Sequence, residues 1–208
     1  MTAALHPAAV LYREAKPFPA LPACEHYAGS EKLIGKALAL QQALGPIFDV
    51  TCDCEDGAPA GAEKAHAGMV ADAIASAENR HGRVGARIHD ITHPHWRDDL
   101  EIIVGTAGAQ LAYITFPKVG GRQDAQAMLM ALAAVAKNCG LARPIPAHVL
   151  IETHGALREV EDGVLVVDET GCVVYFNQAV TRLIGLQPSA EGQFTGSFQR
   201  LCLLVAQL

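Results

Sequence analysis

The chain has 208 residues, half of them hydrophobic, and a formal net charge of −6. This length allows one sizeable domain with a small appendage. The absence of a Lys/Arg cluster argues against binding to nucleic acid or a membrane surface, and no apolar run reaches the roughly 18 residues of a membrane-spanning helix.

The amino-terminal residues 1–20 predict a loose arm, because they lack the basic segment and long apolar core of a secretory signal. The cysteines are scattered, and none forms a Cys-x-x-Cys pair. We therefore expect reduced thiols and a cytoplasmic location.

Strand-like and helical segments alternate from residue 21 to residue 155. The predicted strands are residues 21–29, 47–54, 83–89, 111–119 and 145–155, and the predicted helices are residues 30–45, 62–82, 93–108 and 121–140. Short connections between alternating elements predict a parallel sheet, either in an open doubly wound fold or in a growing (β/α)8 barrel. No glycine-rich phosphate-binding loop follows a strand, which weakens a nucleotide-binding interpretation.

The pattern changes near residue 160. Two β-branched runs flank the turn-like segment 168–171, which predicts an antiparallel hairpin followed by a short helix. The sequence thus predicts an arm over residues 1–20, an α/β domain over residues 21–160 and a short α+β segment over residues 161–208.

Polar side chains gather at the carboxyl ends of the predicted strands, where parallel α/β folds form their sites. They are Asp53, Glu55, Asp56, Arg87, His89, Asp90, Lys118, Glu152 and His154. The period of two places Asp49, Asp53 and Glu55 on one face of their strand. An unpaired buried carboxylate is costly, so these groups need partners or a ligand.

Two interpretations of the acidic residues remain open. Asp49 and Asp53 either pair with Lys118 or Arg87 inside the sheet or take part in a site. Glu152, within an apolar run, favours a metal or substrate ligand. Carboxylates without Cys/His ligand spacing suit Mg²⁺, and an adjacent Arg suits a carboxylate or enolate oxygen, which together point to carbon–carbon bond chemistry.

Other polar side chains have simpler interpretations. Lys64 lies on an exposed helix face or pairs with the acidic turn. His93 and His95, on either side of Pro94, stand at the start of a predicted helix, which argues against a zinc pair.

Several motifs resemble those of one family in order and spacing. They are DCEDG, AEKAHA, RVGARIH, ITFPKV and LIETHGAL. Over about residues 20–160 the chain is similar to the citrate lyase beta-subunit-like (HpcH/HpaI aldolase) family of CoA-ester lyases. The resemblance implies a (β/α)8 TIM-type barrel, an oligomer, Mg²⁺, and retro-Claisen cleavage of a 3-hydroxyacyl-CoA such as malyl- or citramalyl-CoA.

The resemblance also implies roles for individual residues. Arg87 binds substrate oxygens and stabilises the enolate, Glu55 and Asp56 form the acidic pair beside the metal, and Lys118 is their ionic partner. His89 lines the substrate site where lyases commonly have Asn. Glu152 is one metal ligand.

Two departures from the family pattern complicate this picture. The second metal carboxylate, which the family takes from its sixth strand, is not found, and a full barrel needs about 250 residues. Asp162 and Asp168 are the candidates to replace it. The segment from residue 161 instead resembles the start of a PAS sensor domain.

The sequence therefore predicts a partial TIM-type barrel of about five strands followed by a PAS-like segment. Three functions stay open: a Mg²⁺-dependent CoA-ester lyase, either active or inactive because the second half of the barrel is missing; a non-catalytic PAS-containing regulatory or interaction protein; and a class II 2-keto-acid aldolase. The five-strand sheet would need a partner chain or the hairpin to cover its open edge and inner face, so we expect a homo-oligomer.

Overall fold

The computed structural model describes residues 24–160, the strand segments 165–167 and 173–176, and residue 179. The predicted arm over residues 1–20, the candidate ligands Asp162 and Asp168, and most of the PAS-like segment lie outside these ranges. Within the described helices, none is long and apolar enough to cross a membrane.

Five parallel strands form the main sheet. They are β1 (Glu25–Ala28), β2 (Asp49–Asp53), β3 (Val84–Arg87), β4 (Ile114–Phe116) and β5 (Ala147–Val149), and they lie side by side in chain order. This confirms the predicted parallel α/β sheet. An order that follows the chain without reversal is typical of a barrel-like sheet rather than of a doubly wound one.

Five helices accompany the sheet. They are α1 (Glu31–Leu44), α2 (Glu63–Ala75), α3 (Trp96–Ala107), α4 (Arg122–Asn138) and α5 (His154–Glu159). Ser30 caps α1 by accepting a hydrogen bond from the backbone N–H of Leu33. Consecutive helices from α1 to α4 pack against one another, so they cover the same face of the sheet.

The apolar core lies between the sheet and these helices. Val50 and Cys52 of β2 and Val84 and Ala86 of β3 are fully buried there. Residues between them along each strand point to the opposite face. The four cysteines of the described chain are free thiols, as expected.

The strands of the main sheet and the helices between them are shorter than predicted, as three examples show. The third helix begins at Trp96, so Pro94 precedes it, and the second ends at Ala75, before the turns that follow. The fifth strand ends at Val149, so Glu152 lies in the irregular segment beyond it.

A second sheet has two strands, β6 (Leu165–Val167) and β7 (Val173–Phe176), which pair antiparallel. The described backbone here agrees with the predicted hairpin. The short helix predicted after it lies mostly outside the described residues.

Candidate functional site

Arg87, at the carboxyl end of β3, is the centre of a charged cluster. Its Nε and Nη2 donate to the two carboxylate oxygens of Asp53 at 2.8 and 2.7 Å. Its Nη1 lies 2.9 Å from Glu55 Oε2 and 3.4 Å from Asp56 Oδ2. The Asp53–Arg87 pair follows from the sheet register, which sets these residues side by side on β2 and β3. The paired geometry is the bidentate arrangement that Arg and carboxylates favour.

Lys118 approaches the same carboxylates from the end of β4. Its Nζ lies 2.8 Å from Glu55 Oε1 and 3.1 Å from Asp56 Oδ1. We call the set Asp53, Glu55, Asp56, Arg87 and Lys118 the rim cluster. It contains three acidic and two basic groups, so its formal charge is −1.

Glu152 joins this arrangement through the backbone. Its Oε1 accepts a hydrogen bond of 2.6 Å from the N–H of Lys118, which has a positive φ of 48°. The structure thus brings together the predicted site residues Glu55, Asp56, Arg87 and Lys118 and places Glu152 beside them. Lys64 does not join them, because it pairs with Asp98 at 3.1 Å.

The pKa values of Asp53 and Glu55 are shifted in opposite directions. Burial alone would raise the pKa of Asp53, but hydrogen bonds from Arg87 and from the backbone N–H groups of Glu55 and Gly57 outweigh it, and the pKa is lowered. For Glu55 burial dominates and raises the pKa, since Lys118 and Arg87 offset it only partly. Both Glu55 oxygens form ion pairs but lack well-directed hydrogen bonds.

The two cations of the rim cluster are held in their charged forms. The hydrogen bonds to Asp53 raise the pKa of Arg87, and those to Glu55 and Asp56 raise the pKa of Lys118. Tyr27, whose ring lies 5.1 Å from the Arg87 guanidinium, has its pKa raised to about 12 by burial and by Glu25. Arg87 and Lys118 therefore stay positively charged, although the formal charge of the whole rim cluster is −1.

The acidic turn is held by its own backbone. Asp53 accepts hydrogen bonds from the N–H groups of Glu55 at 3.0 Å and Gly57 at 2.9 Å. Gly57 in turn lies against Gly29, after β1, where an added Cβ would stand 2.1 Å from the Gly57 carbonyl oxygen. This close approach requires glycine at position 29.

A second polar layer lies below the rim on the same face of the sheet. His148 Nδ1 is 2.7 Å from Glu25 Oε1, and the His148 ring stacks on Tyr113 at 4.0 Å. The Tyr113 hydroxyl bonds Thr51 at 2.8 Å. Asp49 pairs with Arg83 at 3.3 Å, rather than with Arg87 or Lys118. This layer explains how the carboxylates of β1 and β2 are satisfied without a ligand.

The histidines form a group of their own beyond β3. The Nδ1 of His89 lies 2.7 Å from Asp99 Oδ2, and its ring stacks on His93 at 3.9 Å. His95 Nδ1 lies 2.7 Å from Asp98 Oδ2. Sequence analysis missed Asp99, although an Asp among the apolar positions of α3 was an available signal.

In the described ranges, no group of three or more His, Cys, Asp or Glu side chains has an arrangement that could hold a metal ion. Glu55 and Asp56 face cations, and Glu152 is the remaining candidate ligand named by the sequence.

The lowered pKa of Asp53 predicts that the free energy of unfolding depends on pH. Because the folded-state pKa of Asp53 is lowered, its ionised form adds stability above the unfolded-state pKa of about 3.9. That stability is lost as pH falls through the folded-state pKa. We expect Asp53→Asn to reduce the free energy of unfolding strongly at pH 7 and progressively less as pH falls through the folded-state pKa of Asp53.

Urea unfolding of both proteins from pH 2.5 to pH 7 measures this difference. Glu55→Gln is the matched comparison, because its raised pKa predicts a smaller loss at neutral pH than for Asp53→Asn. An Asp53→Asn deficit that does not shrink in acid would contradict the prediction.

Sequence comparison finds relatives among CoA-ester lyases. The chain is 28% identical over 127 residues to the L-malyl-CoA/beta-methylmalyl-CoA lyase of Cereibacter sphaeroides strain ATCC 17029, a match that covers 61% of this chain and 40% of the relative. The same protein from strain KD131 matches equally. The chain thus spans about two fifths of the length of these curated relatives.

Solved structures give a parallel result. A citrate lyase from Burkholderia xenovorans LB400 is 55% identical, with a TM-score of 0.64 over 66% of this chain and 43% of that one. A malate synthase from Haloferax volcanii is 18% identical, with a TM-score of 0.54 over 64% of this chain and 41% of that one, which shows a shared fold alone.

The end of the chain matches a different family. Residues 150–191 match the family model described as PAS fold. The match begins ten residues before the predicted boundary near residue 160, and that boundary stays a prediction. Together these similarities confirm both predicted resemblances, to the citrate lyase-like CoA-ester lyases and, near the end of the chain, to the PAS fold.

Proposed function

We propose that this chain is a carbon–carbon lyase of the CoA-ester lyase type, built on a TIM-type barrel. It would cleave a 3-hydroxyacyl-CoA such as malyl- or citramalyl-CoA by a retro-Claisen reaction. The observation that carries the proposal is the rim cluster, in which two acidic residues fix the Arg87 guanidinium at the carboxyl ends of neighbouring strands. We further propose a cytoplasmic homo-oligomer.

Arg87 would bind the substrate oxygens. A guanidinium has five N–H groups, and among the described contacts Nη2 makes one bond, to Asp53. The second N–H of Nη2 remains for a substrate carboxylate or thioester oxygen. When the carbon–carbon bond breaks, negative charge develops on the acyl-CoA enolate, and a fixed guanidinium stabilises it without reorganisation.

Lys118 and the acidic pair would set the shape of the site. Lys118 offsets part of the negative charge of Glu55 and Asp56, which would help the rim accept an anion although it holds three carboxylates. Its left-handed backbone directs the N–H of Lys118 toward Glu152, which fixes one carboxylate oxygen and leaves the other for a metal.

Magnesium, when bound, would polarise the hydroxy-acid end of the substrate. In this proposal Glu152 is one ligand. The second carboxylate comes from outside the described residues, where Asp162 and Asp168 are candidates, or from another copy of the chain.

A non-catalytic regulatory protein is the second candidate, and the PAS-fold match favours it. In that case the rim cluster would be an ancestral feature, and the PAS-like segment would carry sensing or association. The two candidates differ in whether the intact chain turns over a CoA ester.

The test is release of the keto acid. Purified full-length chain is incubated with Mg²⁺ and either malyl-CoA or citramalyl-CoA, and glyoxylate or pyruvate is trapped as its phenylhydrazone. We expect release that chelation with EDTA abolishes, and Glu152→Gln should raise the Mg²⁺ concentration needed for half-maximal rate.

The control is Lys64→Met, which removes an exposed ion pair away from the rim cluster and should leave the rate unchanged. No release from an intact oligomer would overturn the lyase and favour the regulatory protein. Pyruvate from a 4-hydroxy-2-oxo acid, with none from CoA esters, would favour the aldolase instead.

A further inference from the structure

His89 and Asp99 form a buried pair beyond the strand that carries Arg87. Asp99 is fully buried and His89 is 8% exposed. A single carboxylate oxygen, Asp99 Oδ2, contacts both the backbone N–H of His89 at 2.9 Å and its ring Nδ1 at 2.7 Å. The other oxygen, Oδ1, is buried without a hydrogen-bond partner. The interactions of this carboxylate are therefore directed at His89.

These contacts determine which ring nitrogen carries the proton. A carboxylate accepts hydrogen bonds, so Nδ1 of neutral His89 must be the N–H donor, and Nε2 then has the free lone pair. Among the described residues, Nε2 has no hydrogen-bond partner and it is not sealed from solvent. It can therefore accept a proton from a ligand.

His93 fixes the ring from its flat side. The two imidazoles are nearly parallel, with an interplanar angle of 10°. His93 Nδ1 accepts a hydrogen bond from the backbone N–H of His95 at 3.3 Å, which sets the tautomer of His93 as well. The His89 ring is thus held by a hydrogen bond at its edge and by a second ring on its face.

His89 follows Arg87 closely along the chain. The residues are two positions apart on an extended segment, since the N–H of Ile88 still bonds the Thr115 carbonyl of β4. Two extended residues span about 6.6 Å. For His89 to act on a substrate bound to Arg87, that substrate must present a hydroxyl to Nε2.

We propose that His89 is the general base of this site and that Asp99 is its positioning residue. The inference rests on the proposed lyase function. His89 Nε2 takes the proton of the substrate 3-hydroxyl, the C2–C3 bond breaks, and its electron pair forms the acyl-CoA enolate while the C–O bond becomes a carbonyl. The imidazolium of His89 then gives this proton to C2 of the enolate, which balances the reaction and restores the neutral ring, and Asp99 stabilises the imidazolium in the interval.

The first experiment reads the tautomer by long-range ¹H–¹⁵N NMR of the histidine rings in the full chain. We expect the Nδ1–H form for His89 and its partial loss in Asp99→Asn. Asp98→Asn is the matched control, because it changes a similar His–Asp pair that is partly exposed and should leave the His89 signals unchanged. A His89 ring in the Nε2–H form in the wild type would overturn the positioning role.

The second experiment measures kcat and KM for malyl-CoA. We expect His89→Gln to lower kcat by about 10²-fold or more with a nearly constant KM, and Asp99→Asn to lower kcat by a smaller factor. An active wild type with an equally active His89→Gln variant overturns this inference alone. An inactive wild type overturns the proposed function and the base role together, while the tautomer still decides whether Asp99 positions His89.

Discussion

Replacing Arg87 with Met is expected to lower the free energy of unfolding by about 3–5 kcal/mol and to abolish turnover. The side chains of Asp53 and Glu55 are only 5% and 6% exposed, and Arg87 is the partner that both share. Removing one member of a buried pair leaves an uncompensated charge, which accounts for the size of the effect. Urea unfolding followed by circular dichroism measures it.

Arg83→Met is the matched control. Arg83 pairs with Asp49 through one contact of 3.3 Å, and its side chain is 33% exposed, so water screens the pair. We expect a loss below about 1 kcal/mol. The double variant Arg87→Met/Asp53→Leu should recover part of the stability but no activity, because it removes one buried charge along with its partner. Equal losses for the two arginine variants would contradict this account of the rim cluster.

Gly29→Ala is expected to destabilise the protein by more than about 3 kcal/mol and to reduce turnover strongly. The new Cβ would stand 2.1 Å from the Gly57 carbonyl oxygen, a backbone atom that can move only with the acidic turn. Overpacking of this kind typically costs about 1–3 kcal/mol, and here the displaced turn also carries the ligands of Arg87. Thermal unfolding and the keto-acid assay measure both effects.

The control for Gly29 is Gly35→Ala on α1. That position is exposed, and an added Cβ there meets nothing within 4 Å. Because alanine favours a helix interior over glycine by about 1 kcal/mol, Gly35→Ala should stabilise the protein slightly. A Gly29→Ala protein with the stability and activity of the wild type would show that the acidic turn tolerates displacement.

The main sheet could be predicted because the sequence patterns of its strands and helices are local. Apolar strand-like runs that alternate with helical segments predict parallel strands, and the carboxyl ends of parallel strands meet at one edge. Glu55, Arg87 and Lys118 lie at or just after the carboxyl ends of three neighbouring strands. Their contacts can therefore be expected from the sequence. Roles for these residues in catalysis remain proposals.

The remaining features depend on contacts between distant segments. Nothing near Asp49 in the sequence selects Arg83, 34 positions away, over Arg87 or Lys118. The Gly29–Gly57 contact and the Asp99–His89 pair likewise depend on the conformations of the loops at the ends of the strands. The observed helix ends also differ from the predicted ones, because tertiary packing outweighs helix propensity at the ends of helices.

The strand order β1-β2-β3-β4-β5 has a consequence for biosynthesis. Each strand of the main sheet pairs with the strand that precedes it in the chain. During synthesis its pairing partner has therefore already been made. Folding can therefore proceed from the amino terminus as the ribosome elongates the chain, with few distant segments to wait for. A stall early in synthesis would then leave a nascent chain with paired strands rather than an unstructured one.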